Sequence, residues 1–268
     1  QLSVNYDELA VRNYSLPNVL LGPDTEQALC SSDWEKNTRP YQFKLLEEFV
    51  YGCQIPPVEI AVLSEIRIEK RYGDKTAVRI QATLQMGTAK NAPTTDVLLY
   101  VPKSKKKAPV FLKLNFLGNQ AEVSDKDIEI TKNWIISKEG INHANEASRG
   151  TKAHRFPVEF LLGRGYGLAT AHCGDFFPDH KEGRSTSILG SLGKPVGRNA
   201  QVDEPGAIGT WAWGLSRILD WLLTLPEVDP NRIIVVGHSR LGKAALWAGA
   251  CDQRFAMVIS NESGCGGA

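Results

Sequence analysis

Arg232-Ile-Ile-Val-Val-Gly-His-Ser-Arg-Leu-Gly-Lys-Ala-Ala-Leu-Trp-Ala-Gly-Ala250 holds the transition on which the rest of the chain turns. The uncharged β-branched run Ile233 to Val236 predicts a strand buried on both faces. Arg240 to Ala250, rich in helix formers and apolar nearly all round, predicts a helix packed against that strand. Gly237, His238 and Ser239 are all that lies between them. So short a junction forces a sharp, strained turn in which small neighbours make room. Its apex residue, Ser239, is lifted above the sheet beside the first amides and the positive end of the helix. Such amides suit an oxyanion formed when a hydroxyl attacks an acyl carbon. A plain helix N-cap is the other reading of a serine at this place. The usual Gly-x-Ser-x-Gly spacing is also broken: Leu241 stands at the second glycine position and Gly242 follows one later.

Composition bounds the answer before any further motif does. With 268 residues, 42% of them hydrophobic, the chain is long enough to bury a sizeable core as one large domain. A formal charge of +1 gives no electrostatic case for nucleic acid or an anionic membrane. No apolar run approaches a membrane span; the first residues carry no signal-peptide pattern, which says little because a mature secreted chain has already lost its own. Five cysteines without a C-x-x-C make neither a disulfide scaffold nor a zinc pattern. Cys30 and Cys53 flank the first predicted helix, and their pairing in an oxidising compartment is left open.

Outward from the central stretch, the chain reads as follows. Residues 1–33 are punctuated by Pro and Asn and predict an extended arm. Trp34 to Tyr51 predicts a helix, with Pro40 near its start and Phe43, Leu45, Leu46, Phe49 and Val50 on its apolar face. Ile60 to Ile68, Val78 to Met86 and Asp96 to Pro102 predict three strands split by Gly73-Asp74 and Asn91-Ala-Pro93. Lys103, Lys105, Lys106 and Lys107 read as a solvated turn. Pro109 to Phe116 predicts the next strand, and residues 120–150 a long polar insertion of the kind that rims or covers a site. Phe156 to Gly163 predicts a helix and Tyr166 to Ala171 a strand. His172-Cys-Gly-Asp-Phe-Phe-Pro-Asp-His180 invites a metal reading, but a turn explains the same residues. Residues 181–209 predict a Gly-rich loop, whose Gly190, Gly193 and Gly197 match no nucleotide fingerprint. Trp211 to Leu225 predicts an amphipathic helix, and Phe255 to Ser260 a last strand ending at Asn261-Glu262. This strand–helix alternation implies parallel strands with crossover helices on both faces. Sites in such sheets lie at the carboxyl ends of strands, where Ser239 and Glu262 both fall on successive strands.

Gly237-His-Ser-Arg-Leu-Gly-Lys243, followed by Ser260-Asn-Glu-Ser-Gly-Cys-Gly-Gly267, resembles the glucuronoyl esterase family of α/β-hydrolases, carbohydrate esterase family fifteen. The hallmark of that family, Gly-Cys/His-Ser-Arg-x-Gly-Lys, has the same displaced glycine. The His at 238 resembles its bacterial branch; the fungal branch carries a Cys there, disulfide-bonded to a Cys beside the catalytic His. Arg39-Pro40 through Val50-Tyr51-Gly52, Phe111 through Asn119, and the Gly-Asp-x-x-Pro-Asp string ending at Asp179 are similar to further family segments.

The resemblance implies an α/β-hydrolase three-layer sandwich with a mostly parallel central sheet, read here as one domain over 1–268: residues 1–57 as N-terminal arm and helix, 58–268 as sheet core. It implies Ser239 as nucleophile and Arg240 at the oxyanion through its amide and guanidinium. Lys243, at i+4 from Ser239 and so near the same face, is implied to hydrogen-bond sugar hydroxyls. Glu262 falls where the family places a triad acid, although many bacterial relatives use one from a later loop. The implied activity is hydrolysis of the ester joining a (4-O-methyl-)glucuronic acid on xylan to a lignin alcohol, with no cofactor and no metal. A secreted or periplasmic monomer is the corresponding expectation.

The base is what these residues lack. All five histidines, at 143, 154, 172, 180 and 238, precede Ser239, whereas this fold places its catalytic His last in chain order. Ser239 lies 29 residues from the end of the 268-residue chain. The expectation is therefore the first part of a longer hydrolase whose C-terminal strands, His loop and other sugar contacts are missing here, and which is inactive as this piece alone. Two other readings stay open: another carbohydrate esterase, of the acetyl xylan esterase type, and a non-catalytic carbohydrate-binding relative without the His.

Overall fold

The computed structural model describes residues 6–24, 26–136, 142–191 and 204–264. By internal contacts the chain divides into two units, Gln1–Val50 and Tyr51–Ala268. In the first, residues 6–30 carry one short 3-10 turn, Glu8–Ala10, and an isolated bridge from Leu21 to Gln27. The predicted first helix is present but irregular. Its α-helical part, α1 (Arg39–Leu46), has Pro40 in its first turn and is flanked by π-helical stretches Trp34–Thr38 and Glu47–Tyr51. The expected apolar face is not a buried one: Leu46, Phe49 and Val50 are exposed.

The second unit is built on a seven-stranded mixed sheet: β1 (Ile60–Tyr72), β2 (Lys75–Met86), β3 (Thr94–Pro102), β4 (Ala108–Asn115), β5 (Gly167–His172), β6 (Val228–His238) and β7 (Met257–Asn261), in the order β1-β2-β3-β5-β4-β6-β7. Strands β1 to β3 form an antiparallel meander, and β3 joins β5 antiparallel. From there β5, β4, β6 and β7 run parallel. The β1–β2 turn is Gly73-Asp74, with Gly73 at φ +57°. That is the left-handed conformation a two-residue hairpin asks of its first central residue. Strand β1 is exposed along most of its length and carries Glu65, Arg67, Glu69, Lys70 and Arg71, charges that keep an edge from pairing further. Val97 to Val101 of β3 are buried on both faces.

Three helices supply the crossovers: α2 (Val158–Gly163), α3 (Ala207–Leu222) and α4 (Arg240–Cys251). Leu162 of α2 packs with Leu98, Tyr100, Phe156 and Leu168 on one face of the sheet. Helices α3 and α4 pack against each other and against β6. Helix α3 begins four residues before the predicted Trp211, inside the stretch read as loop. The residues that hid it, Gly209 and Gly214, are packing requirements. A Cβ at 209 would stand 2.7 Å from the Tyr51 carbonyl oxygen, and one at 214 would stand 2.7 Å from the Phe176 ring. The insertion at 120–150 is better packed than its polarity suggests, with Val123, Ile128 and Ile135 buried. Strand β7 is bonded on one side only among the described residues, and its Met257 and Ile259 are exposed. No helix among the described residues is long and apolar enough to cross a membrane.

Candidate active site

The junction between β6 and α4 is as tight as its sequence demands. Ser239 sits at φ +56°, ψ −133°, and its residue before and after belong to strand and helix respectively. An L-residue there carries strain of about 1–3 kcal/mol, which surrounding structure must hold in place. What holds it is visible. The Ser239 amide donates to the Asn261 carbonyl of β7 at 3.0 Å, and its own carbonyl accepts from Gly242 at 2.8 Å and Lys243 at 3.2 Å. The helix start thus consumes the carbonyl and leaves the hydroxyl out of the backbone network. No side-chain cap bond is made by Ser239, so the N-cap-only reading has no hydrogen bond behind it.

The displaced glycine now has a reason. A Cβ on Gly237 would collide with the Leu241 carbonyl and stand 2.7 Å from the Gly242 nitrogen. A Cβ on Gly242 would meet Ser263 Oγ, with the Asn261 and Gly237 carbonyl oxygens at 3.2 Å. Gly242 is thus where a side chain on the helix would meet both β6 and the turn after β7. That turn is tied to the helix: Ser260 Oγ donates to the Gly242 carbonyl at 3.1 Å and contacts Ser263 Oγ.

Arg240 follows the nucleophile candidate. The amides of Arg240 and Leu241, in the first turn of α4, have no intrahelical acceptor. The Arg240 guanidinium lies 4.8 Å from the Phe116 ring centroid and pairs with Asp179 at 2.6 Å. The loop after β4 thus reaches the site through Phe116, and the loop after β5 through Asp179; neither residue was singled out from sequence. Lys243 is half-buried one turn along.

Glu262 is the second outlier. Ser239 and Glu262 (φ +45°) are the two non-glycine residues with positive φ among those described. The Glu262 side chain is 79% exposed, with its carboxylate 4.0 Å from His238 Nδ1, which also meets Asn261 Nδ2 at 2.9 Å. The structure therefore brings Glu262 to His238, and no hydrogen bond joins it to Ser239. A cavity of about 580 Å³ beside the elbow is lined by Asn115, Phe116, His238, Leu241 and Asn261 among others; Ser239 and Glu262 are not among its lining residues.

Apart from Asp179, the polar residues of the 172–180 segment considered for a metal are engaged elsewhere. Buried His172 places Nδ1 3.3 Å from Asp175 Oδ1, which also accepts from Asn133 at 2.7 Å, while Asp175 Oδ2 accepts from Thr95 at 2.9 Å. His180 packs on the Trp134 ring. Among the described residues, no group of three or more His, Cys, Asp or Glu is placed to hold a metal ion. Cys30 and Cys53 are both in the thiol form, so the pairing considered above is absent. Of the glycines considered for a phosphate cradle, Gly193 and Gly197 lie outside the described residues, as do the last residues of the second family motif.

Residues 199–268 match the family model described as glucuronyl esterase, fungi. The curated carbohydrate esterase MZ0003, from an unknown prokaryotic organism, is 40% identical over 270 residues, covering 98% of this chain and 62% of that protein. Among solved structures, a promiscuous CE15 esterase from a marine bacterial metagenome superposes with a TM-score of 0.87 at 37% identity, covering 99% of this chain and 67% of that one. A glucuronoyl esterase from Solibacter usitatus gives 0.86 at 37% identity, covering 97% and 67%. The seven-stranded mixed sheet with its flanking helices is that of the α/β-hydrolases, and the chain belongs to the glucuronoyl esterases of carbohydrate esterase family 15.

Proposed function

We propose that this protein is a serine-type esterase that cleaves glucuronoyl esters, of the kind joining (4-O-methyl-)glucuronic acid on xylan to lignin alcohols, through an acyl-Ser239 intermediate. The observation that carries the reading is the strained pair: among the described residues, the two non-glycine ones held at positive φ are Ser239 and Glu262, the nucleophile and acid of this reading. Strain persists where surrounding structure over-determines it, and such places cluster at active sites.

In this reading Ser239 Oγ attacks the ester carbonyl and its proton passes to a base. The charge developing on the carbonyl oxygen meets the unpartnered first amides of α4 and the Arg240 guanidinium. Collapse of the tetrahedral intermediate expels the alcohol, protonated by the same base, and water then releases glucuronate from Ser239. None of the described histidines donates to or accepts from the Ser239 hydroxyl, and His238 turns Nδ1 to Asn261 and Glu262. In this fold the base follows the nucleophile in chain order. Glu262 is assigned as the acid that orients it and Lys243 as a donor to sugar hydroxyls. No cofactor is assigned. A polymeric plant cell-wall substrate is met outside the cytoplasm, which supports a secreted or periplasmic location and a monomer able to reach it.

The test is turnover by the protein expressed from its complete gene. Hydrolysis of benzyl glucuronate with little release of acetate from acetylated xylan is the expected result. The reverse preference overturns the substrate assignment in favour of an acetyl esterase.

A further inference from the structure

The way Asp179 holds Arg240 carries an inference beyond the family motif. Arg240 Nε donates to Asp179 Oδ2 at 2.8 Å, and Nη2 lies 2.6 Å from the same oxygen. The Nε/Nη2 edge of the guanidinium is therefore occupied. One face is covered by Phe116, at 4.8 Å from Cζ to the ring centroid, and Phe116 is itself held edge-on by buried Trp211 at 6.1 Å and 81°. A planar guanidinium carries five N–H donors in a fixed fork. With one edge and one face taken, the hydrogens left are the two of Nη1 and the outer one of Nη2, and among the described residues Nη1 has no acceptor.

The loop bearing Asp179 is anchored independently of Arg240. Trp211 Nε1 donates to the Phe177 carbonyl at 2.8 Å, and the Ile188 amide donates to the Phe176 carbonyl at 3.0 Å. A Cβ on Gly183 would collide with the Pro178 carbonyl, so the chain folds back closely behind Asp179. The Asp179 side chain is 19% exposed against 42% for Arg240. The carboxylate is the fixed member of the pair, and the arginine is the group being held.

We propose that Asp179 is the positioning residue for Arg240: by occupying the Nε/Nη2 edge it presents Nη1 to the oxygen that becomes charged when Ser239 attacks. This rests on the esterase reading and deepens it. An arginine without this anchor samples many rotamers and recruits water, and its stabilisation of a charge that exists only in the transition state falls. Ground-state affinity does not depend on that charge, so the loss falls on kcat. Asp179 touches no reacting atom; it acts through Arg240 alone.

The experiment is a double-mutant cycle in the protein expressed from its complete gene, with benzyl glucuronate as substrate. D179A is expected to lower kcat about 10–100-fold with KM within about threefold. D179N, whose amide oxygen still accepts from Nε, is expected to recover most of that loss. In the R240A background D179A is expected to change nothing further, because the residue through which it acts has gone. An equal further loss in R240A, a rise in KM at unchanged kcat, or a D179N variant no better than D179A overturns the proposal. Thermal melting accompanies each variant, and if D179A does not fold the near-isosteric D179N carries the cycle. Should the wild type turn over no glucuronate ester, the functional reading falls, and the same cycle on p-nitrophenyl acetate decides the positioning role separately. No turnover of either ester overturns both.

Discussion

Gly237 and Gly242 face each other across the turn that carries Ser239: a Cβ on Gly237 would stand 2.7 Å from the Gly242 nitrogen, and one on Gly242 3.2 Å from the Gly237 carbonyl oxygen. The first prediction follows from which atoms would be struck. In G237A the obstacles are the Leu241 carbonyl and the Gly242 amide, both backbone, so the turn itself must move. In G242A the nearest atom is the Ser263 hydroxyl, which can rotate, though two carbonyl oxygens remain close. Overpacking of this sort costs about 1–3 kcal/mol. G242A is expected within that range and G237A above it, read from the urea denaturation midpoint of the 268-residue chain.

A second prediction concerns the strain at Ser239. Glycine adopts φ +56° without a Cβ penalty, while a serine there carries about 1–3 kcal/mol. Part of that gain is returned through the greater freedom of glycine in the unfolded chain. S239G is expected to stabilise the folded chain by about 1 kcal/mol while removing the nucleophile. Calorimetry showing S239G less stable than wild type sinks the idea that strain is stored at this residue.

Much of this architecture was legible in sequence, and the exceptions share a cause. The β6–α4 junction could be read because strand, turn and helix are contiguous and each carries its own pattern. The four parallel strands and the hairpin at Gly73-Asp74 were legible for the same reason. The start of α3 was not, because Gly209 and Gly214 lower helix propensity locally while being required by Tyr51 and Phe176, residues distant in the chain. The apolar residues of the first helix predicted a buried face, yet Leu46, Phe49 and Val50 are exposed, since periodicity reports a stripe and not what covers it. Asp179 and Phe116 lay in segments similar to the family's but had no role assigned, because an ion pair across 61 residues and a ring beneath a guanidinium leave no local signature.

Acid sensitivity gives a third prediction. Arg79, 1% exposed, is held by Asp125 at 2.6 Å, and Lys70 reaches the same carboxylate oxygen at 2.9 Å. Burial opposes the charged form of Asp125, but the bonds from Lys70, the Asp127 amide and Arg79 outweigh it, and the carboxyl titrates below its ordinary range. Because the folded-state pKa is depressed, the stabilisation is complete above the unfolded value near ~4 and is lost as pH falls through the folded one. D125N, which leaves buried Arg79 with only the exposed Asp127 carboxylate at 3.3 Å as counter-ion, is expected to cost about 3 kcal/mol at pH 7. The difference from wild type should narrow below about pH 4. A gap that stays constant from pH 7 to pH 2 contradicts the assignment.

Lys243 supports a fourth. Its amide is spent on the Ser239 carbonyl, leaving the ammonium as the group available to a sugar. A hydrogen bond from a charged donor contributes about 1.5–3 kcal/mol, so K243A is expected to raise KM for benzyl glucuronate about 10–100-fold. For an ester whose acyl part lacks sugar hydroxyls the same substitution should be nearly silent. Equal losses on both substrates would place Lys243 outside sugar recognition.

The central claim is that one strained hydroxyl forms the covalent intermediate. The most direct measurement is peptide mapping by mass spectrometry after the complete-gene protein has been treated with a fluorophosphonate. The account predicts a single phosphonyl adduct on Ser239, in step with loss of benzyl glucuronate turnover. Turnover that survives full modification of Ser239, or inactivation with the label on another residue, contradicts it.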